Sequence, residues 1–338
     1  MLLATAALGQ TPAQIPDGSA PAQQIPTEVL VAPRLFKPLQ IEYPLKEIRQ
    51  FGEGWVNLGL MVDPTGKPFE VTVTSSSGNK VFEKQAIEAV ERAAFTPGLL
   101  NGQPIESATE FKVVFVFSEP MTGARAEFVD RYHTLQKAIK AKDRGAADAA
   151  LKHLEVNNLY EDAFFGLVTY EYALEWGDEA QQLAGLQRAI AHEKGAHYLG
   201  KGEFQSVQLE SLVLDVKLRH YAEAMAAWSS LLRSGIDSAT IEKLLPMIHQ
   251  VDHIRLLDQT YDVPGSMPDG TWQLELFEPN FRISVSQGHL SQVKLRCAKG
   301  FVRFAFDPTL EYKVATKYGN CAMELDGDPG TAFILTQF

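Results

Sequence analysis

The spacing of apolar residues changes several times along the chain and divides it into regions of different structure. Apolar and polar residues alternate over 55–62 and 69–74, with turn-forming residues between them, which predicts a β-hairpin. The apolar positions that follow recur at helical spacing until Thr96-Pro97-Gly98. Alternation returns over 111–117. This first region therefore predicts a ββαβ unit, in which one helix covers one face of a small antiparallel sheet.

From about 125 to 262 the apolar residues keep helical spacing throughout. Turn sequences at 142–145 and 175–178 separate successive amphipathic faces, so the pattern predicts a stack of helical hairpins. The hairpins recur at about 35 to 40 residues, which resembles the period of tetratricopeptide-type repeats. Such arrays bind proteins through a concave face, and a purely structural spacer is the alternative. We assign this helical domain to residues 124–262.

After the turn sequence at 264–268 the apolar residues recur with a period of two. A series of short strands, separated by Gly, Asn and Asp-Pro turns, predicts an antiparallel β-sandwich or barrel over 269–338. The whole chain is therefore predicted to be a multidomain α+β protein. Cys297 and Cys321 both fall in this last domain, about two strands apart. We expect a disulfide between them if the protein is exported, and buried thiols if it is cytosolic.

The N-terminal residues bear on the compartment. Residues 1–9 are apolar and end in small residues, which resembles the second half of a secretory signal peptide whose beginning is missing. The alternative is a frayed apolar N-terminus of a cytosolic protein. Residues 10–38 are rich in Pro, Ala and Gln, which predicts an extended linker. Together these segments predict an exported protein of the periplasm, made from a start codon assigned too late.

Charge and motif content argue against several classes of function. The chain has 31 basic and 42 acidic side chains and a formal net charge of −11, which disfavours binding to nucleic acid. It lacks the glycine-rich phosphate loop, the nucleophile elbow and the dinucleotide-binding turn. His249 and His253 have the spacing of metal ligands, but Gln250 stands where a metalloprotease needs glutamate, so a solvated helix face is favoured. We therefore predict a non-enzymatic protein without cofactor or metal.

Several short motifs in the first region are weak singly and specific together. They are Tyr43-Pro44, Gly54-Trp55-Val56, Val62-Asp63-Pro64-Thr65-Gly66, Ser75-Ser76-Ser77-Gly78, Ala86 with Ala89, Phe95-Thr96-Pro97, and Asn101-Gly102-Gln103-Pro104. With them, residues 39–120 resemble the C-terminal domain of TonB, the periplasmic energy transducer of Gram-negative bacteria. One departure is Ala93-Ala94, where the family often has a tryptophan.

The resemblance implies a binding mode. In the family, a peptide of an outer-membrane transporter pairs with the free edge of the small sheet by β-augmentation. The corresponding edge here runs from Thr109 to residue 117, with outward side chains that would select the peptide. The predicted partner-binding residues are Thr109, Glu110, Lys112, Val114 and Val116. The alternative is that the rest of the chain covers this edge.

The resemblance also implies partners and a role. The expected partner is an envelope protein or an outer-membrane transporter peptide, with the inner-membrane motor complex as a further candidate. An energy transducer needs an N-terminal membrane helix to engage that complex, and no such helix is visible in the sequence. The predicted role is therefore partner binding linked to transport across the outer membrane. The alternative is a periplasmic scaffold that binds its partners through the helical array.

Overall fold

The fold was established from a computed structural model, which describes residues 28–44, 52–117, 123–192, 198–257 and 259–338. The predicted signal remnant, residues 1–9, lies outside the described residues. The same holds for residues 10–27 of the predicted linker. Three regions follow one another along the rest of the chain. They are a small mixed unit, a run of helices and a β region.

The first region contains short strands and one helix. In chain order these are β1 (Leu30–Val31), β2 (Arg34–Leu35), β3 (Gly54–Val62), β4 (Pro68–Ser76), α1 (Lys80–Glu91), β5 (Phe95–Thr96), β6 (Gly98–Leu100), β7 (Gln103–Ile105) and β8 (Ser107–Phe115). The three long strands form an antiparallel sheet in the order β4-β3-β8, called the N-terminal sheet below. The predicted ββαβ unit is thereby confirmed.

The helix α1 forms where its sequence favours it and packs on the N-terminal sheet. The side chain of Asn79 caps its first turn by accepting a hydrogen bond of 2.9 Å from the backbone N–H of Val81. Its buried residues recur at helical spacing, and alternate residues of β3 meet them in one apolar core. The main contributors to that core are Val56, Leu58, Leu60, Val62, Phe82, Ala86 and Val90. Burying one valine, leucine or phenylalanine side chain stabilises the fold by roughly 1.5–3 kcal/mol.

A glycine allows the helix to sit close to the start of β3. A Cβ atom at Gly54 would lie 2.7 Å from Cδ2 of Phe82 and 2.6 Å from Oγ of Ser77. Both distances are shorter than real Cβ contacts. The glycine in the motif Gly54-Trp55-Val56 is therefore required by packing against α1.

The end of the predicted linker is part of the fold. Residues 10–38 were predicted to be an extended spacer, but β1 pairs with β6 and β2 pairs with β5. The backbone N–H of Val29 also donates to the side chain of Asn101 at 2.9 Å. A Pro-rich segment can contribute short edge strands, because the positions between its prolines still supply N–H and C=O groups. Two short stretches of this segment, Leu30–Val31 and Arg34–Leu35, are therefore paired strands of the first region.

The second region is helical, as predicted. Its helices are α2 (Ala126–Lys140), α3 (Arg144–Lys152), α4 (Leu159–Trp176), α5 (Glu179–Ala189), α6 (Lys201–Lys217), α7 (Tyr221–Arg233) and α8 (Ser238–Leu256). Consecutive helices pack against one another, and glycines at the contact let α4 and α5 approach closely. A Cβ atom at Gly166 would lie 2.7 Å from the carbonyl oxygen of Gly185. Whether these helices form tetratricopeptide-type repeats stays a prediction.

None of the helices in the described ranges is both long enough and apolar enough to cross a bilayer. The two longest, α4 and α8, instead bury one part of their surface against neighbouring helices and expose charged residues elsewhere.

The third region contains only strands and one short 3-10 turn in its described residues. The strands are β9 (Tyr261–Met267), β10 (Thr271–Glu275), β11 (Asn280–Gln287), β12 (Leu290–Cys297), β13 (Gly300–Ala305), β14 (Tyr312–Lys313), β15 (Cys321–Gly327) and β16 (Thr331–Gln337). They form two four-stranded antiparallel sheets, ordered β10-β15-β12-β13 and β14-β11-β16-β9. Side chains from both sheets share one buried cluster, with Phe281, Val293 and Leu335 in its interior.

This β region begins earlier than predicted. Residues 124–262 were assigned to the helical domain and 269–338 to the β domain, but the helices end at Leu256 and β9 starts at Tyr261. The strand contains Pro264 and Gly265, where the sequence predicts a turn. Proline is tolerated there because β9 is an edge strand, paired only with β16 among the described strands. Gly265 gives room to the ring of Phe333, which a Cβ atom would overlap at 2.2 Å.

The two cysteines are neighbours in this region. Cys297, at the end of β12, is directly opposite Cys321, at the start of β15, and their Cα atoms are 4.0 Å apart. Their sulfur atoms are joined at 2.01 Å, so the structure contains the disulfide.

Candidate functional site

The strand β8 ends the N-terminal sheet. On one side it pairs with β3 along its whole length, and on the other side no strand within the described residues pairs with it. Of the predicted edge residues, Thr109 is half-buried, whereas Glu110 and Lys112 are exposed. Val114 and Val116 expose 37% and 38% of their surface, a large fraction for valine. The backbone groups on the outer side of such a strand can pair with an added peptide strand.

The side chains of Glu110, Lys112 and Val114 lie on the sheet face opposite α1. In the register of β3 and β8, these residues are directly opposite Gly59, Asn57 and Trp55. The intervening residues of β3, such as Leu58, point into the core beneath α1. The face that carries the predicted site therefore looks towards the helical and β regions rather than towards α1.

Lys112 is used within the chain. Its ammonium group donates to the backbone carbonyl of Ala191, just beyond the end of α5, and lies 5.7 Å from the centre of the Trp55 ring. The imidazole of His192 packs edge-on against the same indole at 5.3 Å. Burial and the charge of Lys112 lower the pKa of His192 to about 3, so this ring is neutral. The sequence placed Lys112 among the partner-binding residues, whereas the structure places it in an internal contact between regions.

A buried polar network joins β3 to the helices. The indole N–H of Trp55 donates to Oδ2 of Asp162 on α4 at 2.7 Å, and Nε of Arg188 on α5 donates to Oδ1 at 2.8 Å. Arg188 also donates to the backbone carbonyl of Ser77 at 2.8 Å. Burial raises the pKa of Asp162, and the charge of Arg188 and both sets of hydrogen bonds oppose that shift. The network fixes the orientation of the N-terminal sheet relative to α4 and α5.

The N-terminal sheet also contacts the β region. The rings of Phe69 and Phe301 meet edge-on at 5.8 Å, and Arg303 forms an ion pair of 2.9 Å with Glu70. At the start of β8, Oγ of Ser107 donates to the carbonyl oxygen of Ala298 at 2.6 Å. The beginning of the predicted edge is therefore anchored, whereas its end near Val116 is exposed.

Between the three regions lies a cavity of about 490 Å³, called the junction cleft below. It opens beneath the face of the N-terminal sheet that carries Glu110, and each region contributes to its walls. Its lining residues are Asn57, Gly59, Leu60, Thr74, Ser75, Ala108, Thr109, Glu110, Gln187, Glu223, Gln273, Leu274, Glu275, Arg296, Ala298, Asn320 and Ala322. This volume lies within the range of ligand-binding pockets.

Carboxyl groups dominate the charge of the junction cleft. Glu110, Glu223 and Glu275 line it together with Arg296, but Arg296 is paired with Glu324 at 2.6 Å. Glu223 accepts a hydrogen bond of 2.9 Å from the backbone N–H of Glu275 through Oε1. Its Oε2 is buried and has no hydrogen-bond partner among the described residues. The cleft therefore has an excess of acidic groups over cations.

Burial makes several of these acids hard to ionise. It raises the pKa of Glu223 to about 7, and on the preceding helix it raises the pKa of Asp215 to about 8, with a further contribution from the charge of Glu223. Burial also raises the pKa of Glu275, and the charge of Glu110 adds to that shift while Arg296 opposes it. A cation bound in the cleft would favour the ionised forms of Glu223 and Glu275, which line it.

The sequence reading missed most of this cleft. Glu223, Glu275 and Arg296 come from distant segments, and none of them belongs to a recognisable motif. One signal was present in β3, where Trp55 and Asn57 alternate with core residues. A buried tryptophan on the second face of a sheet indicates that this face is also covered.

No three His, Cys, Asp or Glu side chains among the described residues are grouped as metal ligands. His249 and His253 lie on α8 and are exposed, as expected for a solvated helix face.

A second cavity, of about 280 Å³, lies on the helical region between α2 and α4 and is mainly aromatic. Phe128, Tyr132, Tyr160 and Phe164 line it, and the rings of Tyr160 and Phe164 stack at 4.9 Å. It is separate from the junction cleft and shares none of its lining residues.

Comparison with known proteins places the first region in a family. Residues 40–117 match the family model of the Gram-negative bacterial TonB protein C-terminal domain. This segment is therefore a TonB C-terminal domain, as its motifs predicted. Among solved structures, the TonB2 protein from Vibrio anguillarum is 24% identical over 34% of this chain and 100% of its own, with a TM-score of 0.22. No curated protein matches the chain.

Proposed function

We propose that this protein binds an extended segment of a cell-envelope partner by adding it as a strand to β8. The partner is a segment of an outer-membrane transporter or of another envelope protein. The binding serves transport across the outer membrane. The protein acts in the periplasm and has no catalytic role. The helical and β regions hold the N-terminal sheet in a fixed orientation while it binds.

The observation that carries the proposal is the position of β8 at the end of its sheet. It offers its outer backbone groups, and Val114 and Val116 stand exposed beside them. Exposed apolar side chains along an unpaired edge favour aggregation unless a partner covers them, so natural proteins usually avoid that combination. The TonB C-terminal family, to which residues 40–117 belong, functions in energy transduction for envelope transport, which supports a partner in the envelope.

Backbone pairing can be tested directly by hydrogen exchange on the full chain. The probe is a set of synthetic peptides that tile an outer-membrane transporter of the same bacterium. A peptide that adds as a strand should slow exchange at amides of β8, because its carbonyl groups accept hydrogen bonds from them. If peptides bind without slowing exchange in β8, strand addition is ruled out.

A pair of variants locates the contact. Val116→Pro removes a backbone N–H just beyond the last residue of β8 that pairs with β3, so the sheet itself should stay intact. We expect it to weaken peptide binding. The matched control is Val129→Ala on α2, an equally exposed valine away from the sheet, which should leave binding unchanged. Equal binding by both variants would contradict a contact at the end of β8.

The aromatic cavity between α2 and α4 supports a second candidate, a scaffold that binds its partner through the helical region. Partly buried aromatic rings that line a cavity suit a peptide or protein surface. In that case Tyr160→Ser should abolish partner binding and Val116→Pro should not. The opposite result would leave strand addition as the function.

A further inference from the structure

We propose that the partner segment carries a lysine or arginine whose side chain enters the junction cleft and forms ion pairs with Glu110 and Glu275. This inference rests on the proposed strand addition at β8 and specifies the chemistry of the segment that binds there. It makes the protein selective for basic extended peptides, although the chain itself is acidic.

The position of Glu110 brings the two binding features together. It is a residue of β8, so it belongs to the proposed edge, and it also lines the junction cleft. On a strand added beside β8, the residue opposite Glu110 would have its Cβ atom about 4.5–5.5 Å from that of Glu110 and on the same face of the sheet. That face looks into the cleft. A long side chain at this position therefore extends into the cavity.

A second carboxyl group lines the same cleft. Glu275 is the last residue of β10, and the negative charge of Glu110 raises its pKa in addition to the larger effect of burial. The two negative charges therefore disfavour each other, and the charge of Arg296 partly opposes that effect. A cation between them would remove this repulsion and gain an ion pair with each.

The cations that the described residues place around the cleft have other partners. Arg296 is bound to Glu324 at 2.6 Å, and Lys294 lies between Glu324 and Asp326 at 2.9 Å and 2.8 Å. Neither Glu110 nor Glu275 forms an ion pair with any described residue. The excess negative charge of the cleft therefore favours the binding of a cation from outside the chain.

Glu223 is a third acidic residue in the wall of the cleft. Its Oε2 is buried without a hydrogen-bond partner among the described residues, which is costly for a polar atom. Burial raises its pKa to about 7, so a cation that arrives nearby would readily ionise it.

The experiment uses the full chain and synthetic nine-residue peptides of alternating valine and threonine. In one series a single lysine is moved along the peptide, and in the matched series glutamine replaces it. We expect a lysine on one face of the peptide to bind roughly fivefold to tenfold more tightly than glutamine at the same position, with the difference shrinking at high salt. Hydrogen exchange at β8 is recorded with each peptide.

Three variants assign the effect to the cleft. Glu110→Gln and Glu275→Gln should each remove most of the advantage of the lysine peptide and leave the glutamine peptide unchanged. The control Glu242→Gln, an exposed acid on α8, should change neither. All three substitutions keep the size of the side chain, so folding should be preserved.

The outcomes separate this inference from the proposed function. If both peptides protect β8 equally and Glu110→Gln has no effect, strand addition is supported, and the proposed binding of a basic side chain in the junction cleft is ruled out. If the lysine peptide binds without protecting β8, strand addition fails, and this inference fails with it.

Discussion

The indole N–H of Trp55 donates a hydrogen bond of 2.7 Å to the carboxylate of Asp162, a residue 107 positions further along the chain. Both side chains are almost fully buried, with 3% and 1% of their surface exposed. The bond crosses from β3 to α4, and Arg188 completes it from α5. The edge of the N-terminal sheet is thereby held in one orientation beside the junction cleft.

Removing the indole donor should weaken this connection. We expect Trp55→Phe to lower the free energy of unfolding by about 1–3 kcal/mol, because it leaves the buried carboxylate of Asp162 with one partner fewer. Urea unfolding followed by circular dichroism measures the change. The matched control is Trp272→Phe in the β region, since the indole of Trp272 donates to none of the described residues. Equal losses for both variants would show that ring volume, and not the hydrogen bond, is responsible.

Stability should fall as the pH rises from 6.5 to 8.5. Folded-state pKa values of about 8 for Asp215 and about 7 for Glu223 exceed the ordinary values of 3.8 and 4.5. The folded protein therefore holds more protons than the unfolded chain in this window, and raising the pH favours unfolding. His220, 3.9 Å from Asp215, has a pKa lowered by burial to about 4 and stays neutral here.

The variant Asp215→Asn checks the assignment. It should reduce the loss of stability between pH 6.5 and 8.5, which we expect to be on the order of 1–3 kcal/mol in the unaltered protein. Asp130→Asn, at an exposed position on α2, serves as the control. A stability that rises with pH, or an unchanged slope in Asp215→Asn, would contradict the prediction.

Substituting two glycines should change stability in opposite directions. Gly54→Ala places a methyl group against the ring of Phe82 and should cost about 1–3 kcal/mol. Gly202→Ala, in the first turn of α6, meets no atom within 4 Å and should stabilise the helix by about 0.5–1 kcal/mol. Thermal unfolding of the two variants gives both values. A neutral Gly54→Ala would mean that α1 shifts freely on the sheet.

The disulfide should stabilise the β region. Cys297 and Cys321 are 24 residues apart in sequence, and closing a loop of that size restricts the unfolded chain by about 3 kcal/mol. Reduction, or the double variant Cys297→Ser with Cys321→Ser, should lower the free energy of unfolding of the β region by about this amount. Unfolding in the presence and absence of reductant measures it. A double variant that loses further stability on addition of reductant would show that the effect does not come from this bond.

Export can be tested by intact mass and fractionation of the protein expressed from its native locus. We expect a mature chain in the periplasm that begins near Gln10 and gains two mass units on reduction. An unprocessed, reduced chain in the cytosol would contradict both the export signal and the oxidised state of the cysteines.

Local sequence determined most of the secondary structure. The alternation of apolar residues predicted the strands that surround Leu58 and Val293, because successive side chains of a strand point to opposite faces. Helical spacing and a capping residue such as Asn79 predicted α1 for an equally local reason. The motifs of residues 40–117 identified the TonB C-terminal domain, since tight turns and close packing restrict residue choice at those positions. Errors arose where pairing overrode local signals, as at Pro264 in β9.

Only the tertiary structure decided how the regions meet. The contacts of Trp55 with Asp162, of Lys112 with Ala191 and of Glu223 with Glu275 join segments far apart in sequence, and no periodicity encodes them. These pairings result from the packing of the three regions against one another. The sequence pattern of one region does not indicate which residues of another region it will contact. For that reason the sequence predicted the edge strand, whereas the acidic cleft beside it became visible only in the folded protein.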